Sequence, residues 1–536
     1  MITTIRKLVV IAIILAVLSL VAVSCSRKET SITVPDGARA GDLVGMEACT
    51  YESKDIEYAA DCGTLVVPEN RSDPNSRLIA LPVTRILATG SNPNEPIFRL
   101  TGGPGSSNMK FSPFEEILEN HDIVMVGYRG VDGSVVLDCP EVSKAWKGVG
   151  RDLFSEDSLT NIGQAFARCG KHLQEQGVDL DGYTMAEVIE DMEAARIGLG
   201  YKRVNLLSGS YGTRVAMFYA SLYPDSVYRS VMVAVNPPGR FVYEPEVIDQ
   251  MIRRDAELCS QDPDCSGRTD DLAETMRNVA HNLPRRWLFI PINPGKVRVT
   301  TQFLLFRRRS AATVYDLYLA AEEGDPSGLA LTSVMYNFIW PGMNTWGEWA
   351  NKGSPDYDTS RDWITDMDPP GSILGSPLSL LIGGSMVQIG VGWPQPSLPP
   401  DFNEVPASDA ETLLISGNMD YSTPAQFATE ELLPQLSNGH QVILTEFGHT
   451  GDVWGFQPEA IKHLVTNFYD TGLVDDSLFT HQSMDFYVER GWPTQAKQYL
   501  AIGIGVPLLI VALLVLAVWL ILRRVRRRRH RMPEAY

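Results

Sequence analysis

Short apolar runs that end in glycine-rich turns recur along the first half of the chain, separated by stretches whose apolar residues fall at helical spacing. Runs at 78–87, 96–100, 123–126, the segment starting at Val204, and 230–235 read as strands. Residues 185–199 put Val188, Ile189, Met192, Ala195 and Leu199 close to a helical period, and 214–223 reads as a second helix. Strands that end in glycine-rich loops and are separated by helices predict an α/β fold with a mostly parallel central sheet, whose functional loops sit at the C-terminal strand ends. From 237 to about 406 the rhythm is lost. Aromatics, prolines and helical segments such as 313–323 predict a largely helical cap inserted into the sheet. Strand character resumes at 412–416 and 441–444.

The two ends follow different rules. Residues 499–522 carry no charge and are long enough, at about 1.5 Å per residue, to cross ~30 Å of hydrocarbon as a helix. The arginine block after them belongs in the cytoplasm by the positive-inside rule. At the other end, the apolar run 8–23 behind Arg6 and Lys7 reads as an export signal. Cys25 closes it as in a bacterial lipobox, where that cysteine is lipidated; an uncleaved anchor is the alternative. The expected order is a signal or lipobox segment 1–25, a core 40–236, a cap 237–406, and the rest of the core 407–475. A juxtamembrane segment 476–498, a membrane helix 499–522 and a basic tail 523–536 complete it. This places the bulk of the chain outside the cell membrane and the tail in the cytoplasm.

Charge supports that division. The chain carries −19 overall, yet residues 1–28 carry +4 and 523–536 carry +6, leaving −29 on the middle. So acidic a surface repels nucleic acid. Six of the seven cysteines, Cys49, Cys62, Cys139, Cys169, Cys259 and Cys265, lie in the exported part. An even number in an oxidising compartment predicts disulfides; of the fifteen connectivities, neighbours in sequence favour Cys49 with Cys62, Cys139 with Cys169, and Cys259 with Cys265. None of these spacings makes a convincing metal site, and no cofactor is expected.

The chemistry gathers at Val204-Asn205-Leu206-Leu207-Ser208-Gly209-Ser210-Tyr211-Gly212. This is a strand, a tight turn carrying a serine, and the start of a helix. A serine hydroxyl needs a base beside it and backbone N–H donors for the developing oxyanion, and a strained elbow supplies the exposure. The elbow demands small residues at Ser208 and Gly212. In an α/β hydrolase the acid and the histidine follow the serine after later strands. Asp420 lies in the loop past 412–416, and His449 in the loop past 441–444. The remaining histidines fall at strand starts, in the cap, in helices or in the tail. The oxyanion donors by this reading are the N–H groups of Tyr211 and of Gly103 in Thr101-Gly102-Gly103-Pro104-Gly105.

Those glycine-rich, elbow and acid-loop motifs, with Gly448-His449, resemble the prolyl iminopeptidase and tripeptidyl aminopeptidase family of α/β hydrolases. The resemblance runs from about Cys49 to Val465 and is thinnest across the cap. The paired cysteines resemble those of the secreted tripeptidyl branch. Two positions depart from it: Thr101 stands where prolyl iminopeptidases usually have histidine, and Gly127 where the family commonly has aspartate. The resemblance implies release of residues from free peptide N-termini, with short peptides as substrates. Such an enzyme needs carboxylates for the substrate ammonium, and Glu244 and Glu246, early in the cap, are candidates by position. The alternatives are an ester or other acyl hydrolase on the same triad and a non-catalytic adhesion module.

Overall fold

The computed structural model describes residues 32–388, 393–394 and 398–529. Its main strands are β1 (Leu43–Ser53), β2 (Ile56–Pro68), β3 (Leu78–Ile86), β4 (Ile97–Leu100), β5 (Ile123–Val126), β6 (Val204–Gly209) and β7 (Val227–Val233). A two-residue pair, β8 (Arg286–Trp287) and β9 (Ile290–Pro291), stands apart before β10 (Glu411–Gly417) and β11 (Gly439–Leu444). Nine of these form one sheet in the order β1-β2-β3-β5-β4-β6-β7-β10-β11. β5, β4, β6, β7, β10 and β11 run parallel, and β1 to β3 are antiparallel.

A parallel strand is covered on both faces, so its side chains must be apolar in both directions. β5 and β6 are buried at every position. Leu206 packs with Val188, Ile189, Met192 and Val215 of the helices Met185–Gly198 and Tyr211–Leu222. On the other face Leu207 joins Ile97, Ile123 and Leu413 against Ile461, Leu464 and Phe468 of the helix Pro458–Thr471. The result is three layers, with the C-terminal ends of six parallel strands at one edge. Between β7 and β10 the chain runs through a succession of helices, including Pro245–Gln261, Pro294–Leu305, Arg308–Glu322 and Trp346–Gly353.

Several boundaries move. The elbow helix starts at Tyr211 rather than 214, because it springs directly from the turn, and β7 starts at Val227 rather than 230. The hairpin β1–β2 was not legible. Its turn residues Lys54 and Asp55 sit at φ 51° and 64°, the left-handed geometry that a two-residue hairpin needs but that Asn-Gly usually signals. The helix Glu156–Glu175, capped by the Ser155 side chain, was also missed.

The three disulfides are the neighbouring pairs: Cys49–Cys62, Cys139–Cys169 and Cys259–Cys265, with Cα separations of 5.9, 5.5 and 5.2 Å. The first staples β1 to β2, and the second ties the helix Glu156–Glu175 to the start of Pro140–Ala145. The expected leader and Cys25 lie outside the described residues. Among the described residues no helix is long and apolar enough to cross a membrane. The span expected at 499–522 lies within one helix, Trp492–Arg529, part of whose side chains are outside the description. The segment before it packs on the domain: Met484 and Phe486 are buried among the inserted helices, Ser327 Oγ donates to Pro493 O (3.2 Å), and Lys497 pairs with Asp325.

Closing a loop of the Cys139–Cys169 length restrains the unfolded chain by about 3–4 kcal/mol. The Cys139→Ser/Cys169→Ser double variant should therefore unfold at distinctly lower urea, and the native protein should show the same loss under reduction; an unchanged midpoint would contradict this pairing.

Candidate active site

Ser210 sits between β6 and the helix Tyr211–Leu222 at φ 53°, ψ −129°, a region that side-chain-bearing residues rarely adopt. It is the helix N-cap, yet its side chain makes no capping bond, so the hydroxyl is not spent on the helix. Its N–H donates to Val233 O (2.9 Å), and its carbonyl accepts from Thr213 N (2.9 Å) and Oγ1 (2.6 Å). The close packing demands glycine at 212, where a Cβ would lie 2.3 Å from Leu100 O and 2.6 Å from Thr101 O. Position 208 is less crowded. Ser208 fits there, buried, with its hydroxyl donating to Val231 O (3.1 Å).

The loop after β4 passes over the serine. A Cβ on Gly102 would lie 2.7 Å from Ser210 Cβ and 2.9 Å from Gly209 O. Gly103 follows at φ 131°. Among the described residues neither the Gly103 N–H nor the Tyr211 N–H has a hydrogen-bond acceptor. Both are free to donate to an oxygen built at Ser210. Asn108 holds the loop: its side chain accepts from Thr101 N (2.9 Å) and donates to Arg99 O and Val126 O (2.9 Å each). At Gly127 a Cβ would lie 2.6 Å from Pro82 Cδ and 2.8 Å from Asp132 Cβ, so the position admits no side chain; the Asp132 carboxylate accepts from Asn108 N and Tyr128 N (2.9 Å each).

Asp420 and His449 meet across the mouths of β10 and β11, with His449 Nδ1 2.8 Å from Asp420 Oδ2. Asp420 is fully buried and also accepts from Ser422 N (2.8 Å), Thr423 N (3.0 Å) and Thr423 Oγ1 (2.8 Å). These donors fix both oxygens. Among the described residues no hydrogen bond joins Ser210 Oγ to His449; in unliganded enzymes such contacts are often long and tighten only with substrate. An aspartate locking the imidazole by Nδ1 leaves Nε2 free to exchange a proton with a hydroxyl.

The inserted helices are bonded to every loop of the site. Phe306 O accepts from His449 N (2.7 Å), and Asp452 Oδ2 accepts from both Arg308 N (2.7 Å) and Gly448 N (3.0 Å). Thr345 N donates to Gly105 O (3.0 Å), and Asp356 forms a bidentate pair with Arg214 of the elbow helix (2.9 and 2.8 Å). Tyr421, beside Asp420, donates to Asp255, as does Tyr315 (2.5 Å for both). Burial pushes the Asp255 carboxyl up to about 6, against the opposing pull of those two hydroxyls. Glu348 and Lys352 form a buried ion pair in the helix Trp346–Gly353, and burial pushes the acid up and the amine down.

The expected ammonium site is not formed by its two candidates. Glu244 is committed to Arg361 by two bonds of 2.7 and 2.8 Å, and Glu246 is exposed on the first turn of Pro245–Gln261. The other histidines are accounted for elsewhere. His121 is buried between Glu95 O and Asp470, His172 is exposed beside Glu141, His281 donates to Ser372 O, His463 pairs with Asp475, and His481 pairs with Glu446. His440 is exposed at the start of β11. The contacts Phe306–His449, Arg308–Asp452 and Asp255–Tyr421 had no sequence signal, since each joins single residues far apart along the chain.

A serine on a strand-to-helix elbow, an Asp–His pair on later strands of one parallel sheet, and a free pair of N–H donors make up the arrangement of a serine hydrolase built on the α/β-hydrolase fold. Residues 95–274 match the family described as alpha/beta hydrolase fold, and residues 383–478 the family described as TAP-like protein. The chain is 27% identical over 223 residues to the tripeptidyl aminopeptidase of Streptomyces lividans, covering 39% of this chain and 41% of that one. It is 25% identical over 264 residues to the serine protease Hip1 of Mycobacterium tuberculosis, covering 45% and 49%. The matched stretches thus span less than half the length of either relative.

Gly102→Ala places a methyl against Ser210 Cβ and backbone, so the loop must lift. Turnover of a p-nitrophenyl ester should fall on the order of 100-fold, the effect of losing one oxyanion donor, with the circular dichroism spectrum unchanged. Wild-type turnover would contradict the assigned loop.

Proposed function

We propose that the protein is a serine aminopeptidase that releases residues or short peptides from free peptide N-termini through an acyl-enzyme. The supporting observation is the Asp420–His449 contact of 2.8 Å beside the Ser210 elbow, in the strand order β6-β7-β10-β11. His449 takes the Ser210 proton as the hydroxyl attacks a peptide carbonyl, and Asp420 stabilises the imidazolium. The oxyanion is received by the N–H groups of Gly103 and Tyr211. His449 then protonates the leaving amine, and water repeats the sequence to free the acyl group. The choice of peptides over other acyl substrates rests on the names of the two relatives. One observation favours the second reading, an ester or other acyl hydrolase: Glu244 is already paired with Arg361 and Glu246 is exposed, so no ammonium partner is identified.

Tethering belongs to the same proposal. The uncharged stretch 499–522, the arginine block after it, and the exposure of Val511, Leu513, Val515 and Ile521 support a membrane anchor for an extracytoplasmic catalytic domain.

Ser210→Ala and His449→Ala should each reduce kcat by three or more orders of magnitude with little change in unfolding midpoint; retention of more than about a hundredth of wild-type turnover would overturn the triad. On the unsubstituted protein, peptide amides with a free N-terminus should be cleaved and their N-acetylated forms spared. Equal cleavage of both would put the acyl-hydrolase reading ahead.

A further inference from the structure

Arg99 of β4 projects to the same sheet face as Ile97, away from Phe98 and Leu100. There it lines a cavity of about 860 Å³ with Tyr51, Tyr58, Phe111, Phe114 and Trp454. Its Nη1 donates to Leu100 O (2.5 Å) and Leu207 O (3.2 Å), and its guanidinium carbon lies 5.7 Å from the Phe111 ring centre. Nε is buried with no partner. Among the described residues Nη2 makes no hydrogen bond, and no carboxylate reaches the guanidinium.

Arg99 as a whole is half-buried, and its arrangement is unlike that of the fully buried arginines of this chain. Arg129, Arg214 and Arg298 are each gripped by one aspartate through two guanidinium nitrogens, by Asp191, Asp356 and Asp368, and Arg229 is held by Glu411. Burying a guanidinium without an anion is costly, and the side chains of a folded protein normally meet that cost with a carboxylate. Burial pushes Arg99 below the usual arginine value, and the groups opposing it are Tyr128 and Tyr469 rather than acids. The remaining charges on the cavity balance: Lys54, Lys110 and Lys462 against Glu52, Glu115 and Glu116. Lys462 is already shared with Glu459 (3.0 Å) and Glu116 (3.9 Å).

The two unused donors, Nε and Nη2, form one edge of the guanidinium, the spacing that a carboxylate matches with two parallel bonds. We propose that this cavity is a second binding site, separate from the Ser210 site, for a carboxylate carried on an apolar or aromatic body. Arg99 takes the carboxylate, and Tyr51, Phe111 and Trp454 pack the body. A single arginine among balanced charges, in a chain of net charge −19, suits a monoanion better than a phosphate dianion. The carboxylate comes from a peptide C-terminus or from a free aryl acid, which share this chemistry. The site also adjoins the loop over Ser210, since Asn108 bonds both Arg99 O and Thr101 N.

The test is calorimetric titration of the full chain with Ser210 blocked by a phosphonylating reagent, so that the triad cannot bind the probe. N-acetylphenylalanine and phenylacetate stand for the two sources, and their uncharged amides are the controls. At least one acid should bind tenfold or more tightly than its amide, and the tighter of the two identifies the source. Arg99→Gln should abolish that difference, and Arg99→Lys, which keeps the charge without the fork, should retain only part of it. Trp454→Ala should weaken both acid and amide. Equal binding of acid and amide to the unsubstituted chain, no binding of either acid at millimolar concentration, or undiminished binding by Arg99→Gln would each overturn the proposal. The first two comparisons need no variant to fold.

Discussion

The site depends on one residue held where a side chain is not at ease. Ser210 at φ 53° occupies a conformation that costs an L-residue about 1–3 kcal/mol, and it persists only because its surroundings leave no alternative. β6 delivers it from a strand buried at every position, and the helix Tyr211–Leu222 leaves at once. Gly212 allows that helix to pass within contact of the Leu100 and Thr101 carbonyls. Gly102 lies on the serine from the other side. Strand, helix and loop therefore converge on one backbone conformation, and a methyl group at either glycine would break the convergence.

The inserted helices share in that constraint. They bond the oxyanion loop through Thr345, the elbow helix through Asp356, the histidine loop through Phe306 and Arg308, and the acid loop through Asp255. A cover that only excluded water would not need to touch each catalytic loop by hydrogen bond. Here the inserted segment fixes the relative position of loops that arise from four different strands. The buried Glu348–Lys352 pair, whose mutual attraction offsets only part of its desolvation, sits in the same helix that Thr345 leads into.

The sheet and the places of Ser210, Asp420 and His449 at its strand ends were legible because each leaves a local trace. Ser210, Asp420 and His449 all follow apolar runs and lie in loops of small or polar residues, and chain order assigns their parts. The neighbouring cysteine pairs were legible for the same reason. The hairpin β1–β2 was not, since its turn uses Lys54 and Asp55, and β1 exposes much of its length. The ammonium candidates were chosen by position along the chain. What decided against Glu244 is Arg361, 117 residues beyond it, a contact with no sequence signature, and Glu246 is exposed. A similar distance in sequence hid the bonds of Arg308 to Asp452 and of Tyr421 to Asp255.

The central claim is that Ser210 alone is the activated nucleophile. It is tested most directly by the intact mass of the protein after exposure to a fluorophosphonate, followed by peptide mapping. One adduct per chain on Ser210, prevented by prior denaturation, is the predicted result. No adduct on the folded protein, or an adduct on a different residue with Ser210 unmodified, would contradict it.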